Sequence, residues 1–383
     1  MKFVQLEKQI TWPTEDFSRI PRKVFVEPEL FDMEMERIFQ GSTWNLVGHV
    51  SEIPQPGDFK TGYLGNIPII VVRDNKSPRV INVLVNTCAH RGAEVERRPC
   101  GNAKQFSCLY HKWTYNLSGE MIGAPFKEDI PPNIEKEEMT LKKLNVAQFH
   151  GLIFASFQQN MVSIDEYLGD IGDGIRKGLG DKPLIPIGNQ KVVYNCNWKL
   201  YSENVIDGYH TGYLHAAFRM LRMFSAGGVG TTSNYGSGQF SYKTLPLEKN
   251  DVLNDLSILE KTNETSFIMN FFPTSVVSTH LETIGIRYVI PHSIDKTLVY
   301  FQYFMCETDS PEKKDLRIKQ ASNVLGPLGL ISLEDAAALE AIQKSAVSGG
   351  HNIILKPSDG GIPIHSEVMV RNFWKQYHEL MGL

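Results

Sequence analysis

The sequence predicts an α+β protein in which a small antiparallel β domain precedes a larger domain of antiparallel sheet flanked by helices. Two observations carry this. From about 44 to 158, short apolar runs ("NIPIIVV", "RVINVLVN", "GLIFASF") alternate with turn sequences ("QPGD", "DNKSPR", "CGNAK", "LSGE"), the texture of strands joined by tight turns. Beyond 158, strand-like runs ("SFIMNFFPTSVVSTHL", "GIRYVIPH", "TLVYFQYFM") mix with helical ones ("LEDAAALEAIQKSAV", "SEVMVRNFWKQYHELM").

Taken in order, "EPELFDMEMERIFQ" at 27–40 places Leu30, Phe31, Met35, Ile38 and Phe39 at helical spacing, so residues 1–43 form a helical segment expected to pack on the last domain. Residues 44–158 form the β domain. The Gly-rich "DEYLGDIGDGIRKGLGDKP" then reads as a helical connector, and "KVVYNCNWKLYSENV" enters a helix of the closing domain, 159–383. With 383 residues a buried core in each domain is no obstacle, and 42% hydrophobic against 21% charged residues excludes disorder.

A net charge of −4 offers no electrostatic reason to expect nucleic acid or an anionic membrane. No stretch is long and apolar enough to span a bilayer, and the first residues lack a leader's apolar core. Of five cysteines, Cys88 and Cys108 sit in one motif and Cys100, Cys196 and Cys306 are scattered, which points to free thiols in a reducing cytoplasm.

That motif is "NTCAHRGAEVERRPCGNAKQFSCLYHKW", residues 86–113. Cys88-Ala-His90 and Cys108-Leu-Tyr-His111 are two clips, each with one thiolate and one imidazole. Zinc fingers pair like with like. The mixed order suits a two-iron site in which both thiolates hold one iron and both imidazoles the other, a Rieske [2Fe–2S] centre. A structural zinc site and a chance cluster of core residues stay open on ligand order alone. Gly92, Gly101 and Gly119 supply turns, and Trp113 and Tyr115 either shield a cluster or fill a core.

With these residues in hand, "CAHRG…GNAKQFSCLYHKWTYNLSGEMIGAP" resembles the cluster segment of the large (α) subunits of Rieske non-haem iron oxygenases, the aromatic ring-hydroxylating dioxygenases in particular. Lys112 departs from the family, which usually has Gly there. The resemblance extends over nearly the whole chain, most weakly between 219 and 330, and implies a helix-grip-like catalytic domain.

Such an enzyme needs a second iron. "NWKLYSENVIDGYHTGYLHAAF", 197–218, contains Asp207, His210 and His215. Asp207 and His210 are spaced for one helical face, whereas His210 and His215, five apart, lie about 140° round an ideal helix and converge only if it breaks, with Gly212 the candidate break. Read alone, two histidines near a helix end are more often capping or core residues than ligands. The resemblance of Glu203–His215 to the family's mononuclear-iron motif implies that His210 and His215 ligate Fe(II), with Asp207 a bridging carboxylate. The third ligand of a facial triad is then Asp335, favoured over Glu334. Its competing role is a Ser332-x-x-Asp335 helix cap. Asp335, Leu339 and Ile342 share a helical phase that would turn Asp335 inward.

The resemblance implies a terminal oxygenase that takes O₂ and a small, aromatic or related, organic substrate, ring cis-dihydroxylation being favoured over monooxygenation. A Rieske electron carrier without catalytic iron is the remaining alternative. No Gly-x-Gly-x-x-Gly fingerprint occurs, so NAD(P)H electrons are expected through a separate reductase, sometimes with a ferredoxin. The family also implies a head-to-tail homotrimer, with or without a β subunit, in which Asp207 links His210 to His111 of a neighbour. Asn204, Phe218 and Met220 are candidate pocket residues.

Overall fold

The computed structural model describes residues 10–216, 227–242, 264–356 and 366–383. The chain forms two compact units, Phe39–Ile164 and Met1–Ile38 with Asp165–Leu383. Among the described residues no helix is long and apolar enough to cross a membrane, and all five cysteines are free.

The first unit consists of three antiparallel sheets. In its four-stranded sheet the order is Ile81–Val85, Ile67–Arg73, Asp58–Leu64, Cys100–Asn102. The run "IPIIVV" is apolar on both faces of the strand, and Ile69 to Val72 are fully buried accordingly. "CGNAK", expected as a turn, contributes the short strand Cys100–Asn102 through the pairs Lys60↔Cys100 and Asp58↔Asn102. This edge strand is held by backbone pairing and has no apolar alternation to announce it. Asn45–His49 joins Asn145–Phe149 and Leu152–Ser156, while Phe106–Ser107, Thr114–Tyr115 and Met121–Gly123 form the smallest sheet. Gly119, at φ +93°, makes the turn before the last of these, where a Cβ would press on Leu84 and the Leu141 carbonyl.

The second unit is organised on a seven-stranded antiparallel sheet ordered Leu184–Tyr194, Lys296–Cys306, Thr283–Ser293, Ser275–His280, Glu264–Phe271, Gly236–Tyr242, Gly227–Ser233. The long run "SFIMNFFPTSVVSTHL" thus folds back on itself at Phe272–Thr274 as two paired strands. The Gly-rich segment is more than a connector. Its helix Asp170–Leu179 buries Ile171, Ile175 and Leu179, and Gly178 lies directly against the Phe267 ring, where any side chain would collide. Its apolar residues at four-residue spacing cover the sheet face that carries Phe267.

The N-terminal helix, Pro28–Glu34, continues as one wider turn through Met35–Phe39. Leu30, Met35, Ile38 and Phe39 are buried as their spacing requires, whereas Phe31 is only partly buried and Met33 takes a core place instead; Glu34 is buried too. Its carboxylate receives the Lys199 ammonium at 2.5 Å, the Trp198 indole N–H at 2.7 Å and the Tyr377 hydroxyl at 2.7 Å. Three distant segments thereby share one buried anion. Glu34→Ala leaves an ammonium and two donors without their acceptor, and is expected to cost about 3–5 kcal/mol, read as a lower midpoint in urea unfolding. A loss below about 1 kcal/mol would mean that water replaces the carboxylate.

Candidate metal centres

Both clips of the first unit are loops that leave and re-enter strands. Cys108 to Trp113 forms the hairpin loop between Ser107 and Thr114, which pair directly. The two loops repeat one backbone pattern. Cys88 N–H donates to the Ala93 carbonyl at 2.9 Å and accepts at its own carbonyl from Gly92 N–H at 2.8 Å; Cys108 does the same with Trp113 at 2.8 Å and Lys112 at 3.0 Å. In each loop the fourth residue after the cysteine is left-handed, Gly92 at φ 72° and Lys112 at φ 60°.

Lys112 therefore holds a conformation that glycine adopts without strain. Lys112→Gly removes a cost of about 1–2 kcal/mol and adds about 0.4–1 kcal/mol of unfolded-chain entropy. A small net stabilisation of the folded chain is expected in chemical unfolding; a clear loss would show that the lysine side chain itself supports the loop.

The donors are sorted by depth. Cys88 and Cys108 are 3% and 1% exposed, whereas His90 is exposed and His111 partly so. The imidazoles lie side by side with ring centroids 4.5 Å apart, and the Trp113 indole stacks on His90 at 5.0 Å. The Tyr115 hydroxyl lies 3.2 Å from Cys88 Sγ and accepts from Ala89 N–H. Desolvation, with the neighbouring His90 and Arg91, holds His111 below the ordinary imidazole value, so it is neutral and ligand-competent at pH 7. Two buried thiols beneath two accessible imidazoles fit a cluster whose outer, histidine-held iron exchanges electrons at the surface.

In the second unit, Asn197 caps the helix Trp198–Ile206 through its side chain. That helix ends at Asp207, whose backbone is extended. Asp207 and His210 consequently share a turn between helices, not one helical face as expected. Nor is Gly212 the break: it lies inside the short helix Thr211–Leu214, which His210 and His215 flank. His215, with extended backbone at the C-terminal end, swings back so that the two rings sit 5.2 Å apart. Glu203, at the head of the motif, faces away and accepts from the Trp374 indole.

The carboxylate arrives from the helix Leu330–Ala346. Its N-cap is Gly329, and the Ser332 hydroxyl donates to the Leu325 carbonyl. The competing Ser332–Asp335 cap is therefore absent, and Asp335 lies in the second turn, free to face inward. Leu339 is buried beside it in phase, but Ile342 is 40% exposed.

One ligand atom each from His210, His215 and Asp335 lies within 4.8 Å of the others, an arrangement able to hold a metal ion. Asp335 Oδ1 is 3.5 Å from His210 Nε2 and 3.4 Å from His215 Nε2. Behind each ring stands another carboxylate: Asp207 Oδ2 is 3.0 Å from His210 Nδ1, and Glu334 Oε2 is 3.0 Å from His215 Nδ1. Each Nδ1–H is thus fixed, and each Nε2 is turned toward the shared centre. Burial opposes protonation of His210, yet Asp207 and Asp335 outweigh it and raise the metal-free imidazole to about 9.

Sequence reasoning weighed Glu334 only as a rival to Asp335 and missed its role behind His215, where it also accepts from Ala216 N–H at 3.1 Å. No local spacing relates it to His215, 119 positions away. Asn204, considered only for a pocket, donates to Asp335 Oδ1 at 3.2 Å and lies 3.5 Å from His210 Nε2. Phe218 and Met220 lie outside the described residues.

Comparison with known proteins adds an independent finding. The family described as "Ring hydroxylating alpha subunit (catalytic domain)" matches residues 184–383, and "Rieske [2Fe-2S] domain" matches 43–143. The anthranilate 1,2-dioxygenase large subunit of Burkholderia cepacia is 33% identical over 97% of this chain and 96% of its own. Subunit alpha 2 of the terminal oxygenase component of terephthalate 1,2-dioxygenase from Comamonas sp. is 35% identical over 98% of each. Among solved structures, naphthalene 1,2-dioxygenase from Rhodococcus sp. bound to indole matches with a TM-score of 0.82 at 25% identity, covering 95% of this chain and 94% of that one.

Proposed function

The chain belongs to the ring-hydroxylating alpha subunits that carry a Rieske [2Fe–2S] domain and a non-haem iron catalytic domain, and on that premise we propose the residues that carry its activity and the substrates it takes. It is a terminal oxygenase component. Cys88, Cys108, His90 and His111 hold the cluster, and His210, His215 and Asp335 hold the mononuclear iron. The observation that carries this assignment is the pair of carboxylate-anchored imidazoles converging with Asp335 on one point.

When bound, the cluster supplies electrons singly and the ferrous site activates O₂ for insertion into unreactive C–H or C=C bonds. The protein's own contribution is positional. Asp207 and Glu334 fix the ring orientations and the Nδ1 protons, Asn204 steadies Asp335 by donating to the same Oδ1 that faces the two imidazoles, and Tyr115 donates toward Cys88.

The substrate reading is an aromatic ring acid undergoing cis-dihydroxylation. It is supported by the two relatives that match over nearly the whole chain, since anthranilate and terephthalate are both benzene carboxylates. Electrons are read as coming from NAD(P)H through a separate reductase, because no dinucleotide fingerprint occurs in the sequence. The working unit is read as a cytoplasmic head-to-tail homotrimer, in which Asp207 of one protomer meets His111 of the next.

Electron paramagnetic resonance of anaerobically purified, dithionite-reduced protein tests the assignment, with iron, zinc and acid-labile sulfide counted on the same sample. A rhombic mixed-ligand signal with about three irons and two sulfides per chain is expected. Zinc in place of iron and sulfide would overturn it. Product analysis then separates a cis-diol from a single hydroxyl.

A further inference from the structure

We infer that Arg287 is the anion anchor of the substrate pocket, the group that receives the carboxylate of a ring acid. This rests on the reading of the chain as an oxygenase and assigns the feature of the site that selects its substrates.

Arg287 lies on the strand Thr283–Ser293, paired with Phe301 on one side and Val276 on the other. By register it shares a sheet face with Gly285, Ser278 and Tyr303, opposite the face that carries Phe267 and receives the helix Asp170–Leu179. The guanidinium stands over the Phe301 ring at 5.1 Å, and among the described residues its one side-chain hydrogen bond goes to the Tyr201 hydroxyl at 3.4 Å. Among the described residues it has no carboxylate partner. Arg317, similarly withdrawn from solvent, pairs with Asp309 at 2.7 Å. A partly buried guanidinium with no counterion retains unused donors in a fork that matches a carboxylate.

Its place relative to the iron ligands fits the same role. Tyr201 precedes Asn204 by three residues on the helix Trp198–Ile206, so the two lie on one helix face about 5–6 Å apart. Asn204 in turn touches Asp335 and His210. His280 lies within electrostatic reach of both Arg287 and His215, on the strand next to that of Arg287. The guanidinium is thus linked to the metal ligands through Tyr201 and Asn204 on one helix and through His280 on the adjacent strand.

Two further features mark the same sheet face. Gly285 occupies the position two residues before Arg287, and a side chain at that point would first meet the Tyr303 ring; a glycine in a strand marks a close approach by a ligand or backbone. The Tyr303 hydroxyl is buried with no hydrogen-bond partner among the described residues, and a carboxylate held by Arg287 would supply one. The void between them is lined by Ser278, His280, Thr283, Arg287, Phe301 and Tyr303.

Isothermal titration calorimetry on the metal-loaded protein provides the test, using benzoate, 2-aminobenzoate and 1,4-benzenedicarboxylate against the corresponding amides, which keep the ring and lose the charge. At least one acid is expected to bind about 10- to 100-fold more tightly than its amide. Arg287→Gln should abolish that preference while iron and sulfide contents and the reduced-cluster spectrum stay unchanged. Arg287→Lys, which keeps the charge but not the fork, should weaken the acid by about tenfold and decides the matter if the glutamine variant does not fold.

Equal binding of acids and amides by the unaltered protein, or undiminished acid binding by either variant, overturns the anchor. Single turnover of the reduced enzyme with O₂ keeps the parent reading separate. Ring hydroxylation of toluene without acid preference sinks the anchor alone. Absence of product from every acid and neutral ring, with both metal sites filled, sinks the oxygenase reading even if Arg287 binds carboxylates.

Discussion

Asp207→Ala is expected to retain the cluster and most of the mononuclear iron while coupled ring hydroxylation falls by at least about a hundredfold. Asp207 is not within the ligand triad; it stands behind His210 with Oδ2 at 3.0 Å from Nδ1, while its Oδ1 accepts from Tyr209 N–H at 2.7 Å. The three triad residues still converge without it, so iron content should change little. What disappears is the acceptor that fixes the His210 tautomer, and with it the proposed hydrogen-bonded route to His111 of a neighbouring protomer. Stopped-flow oxidation of the reduced cluster separates the two consequences. If the bridge matters, cluster oxidation slows in step with product formation. If only ring orientation matters, the cluster empties normally and reduced oxygen is released without product. Near-normal coupled turnover in this variant would remove Asp207 from the mechanism altogether. Asp207→Asn keeps the shape but loses the charge, and should fall between the two.

What the sequence revealed of this site depended on how local each interaction is. The proposed cluster clips are legible because all four donors lie in two short loops, and their mixed ligand order favours a Rieske centre over like-with-like zinc clips, with the family resemblance deciding between them. The histidine pair was readable as a spacing that an unbroken helix cannot satisfy, although the break came at Asp207 and not at Gly212. Asp335 was harder to identify. A Ser-x-x-Asp pattern at an apparent helix start has a satisfactory capping explanation, and only the true start at Leu330, with Ser332 bonded to Leu325, removes it. Glu334 was weighed only as a rival ligand, Asn204 only as a pocket residue and Arg287 not at all, because their partners come from other segments of the chain. The same holds for Glu34, which occupies a polar-looking position of an amphipathic helix and is nevertheless buried against Lys199. Long-range polar pairing leaves no period in the sequence; apolar periodicity does, which is why the strands and helices were largely legible and their polar cross-links were not.

Asp335→Ala is expected to empty the mononuclear site while the cluster keeps its iron, sulfide and visible spectrum. Asp335 has two roles that this change removes together. It offers Oδ1 to the point where both Nε2 atoms converge, and its charge, with that of Asp207, holds the metal-free His210 at about 9 against the opposing effect of burial. In the unaltered protein Fe(II) must displace that proton, so apparent iron affinity should rise by up to about tenfold per pH unit as the pH increases toward 9. The folding contribution has the opposite sign. A histidine whose pKa is raised on folding stabilises the metal-free chain fully below its ordinary value, and that stabilisation is lost as the pH rises through about 9. Mildly acidic, iron-depleted protein should therefore remain folded by circular dichroism and recover iron when the pH is raised. Anaerobic ferrous titrations between about pH 6 and 8.5 provide the check. In Asp335→Ala the affinity should drop by more than about a hundredfold, and the pH at which it levels off should move downward, because one of the two carboxylates that favour the His210 proton is gone. Retention of a full mononuclear iron would mean that Glu334, one residue earlier on the same helix, is the ligand and Asp335 its support.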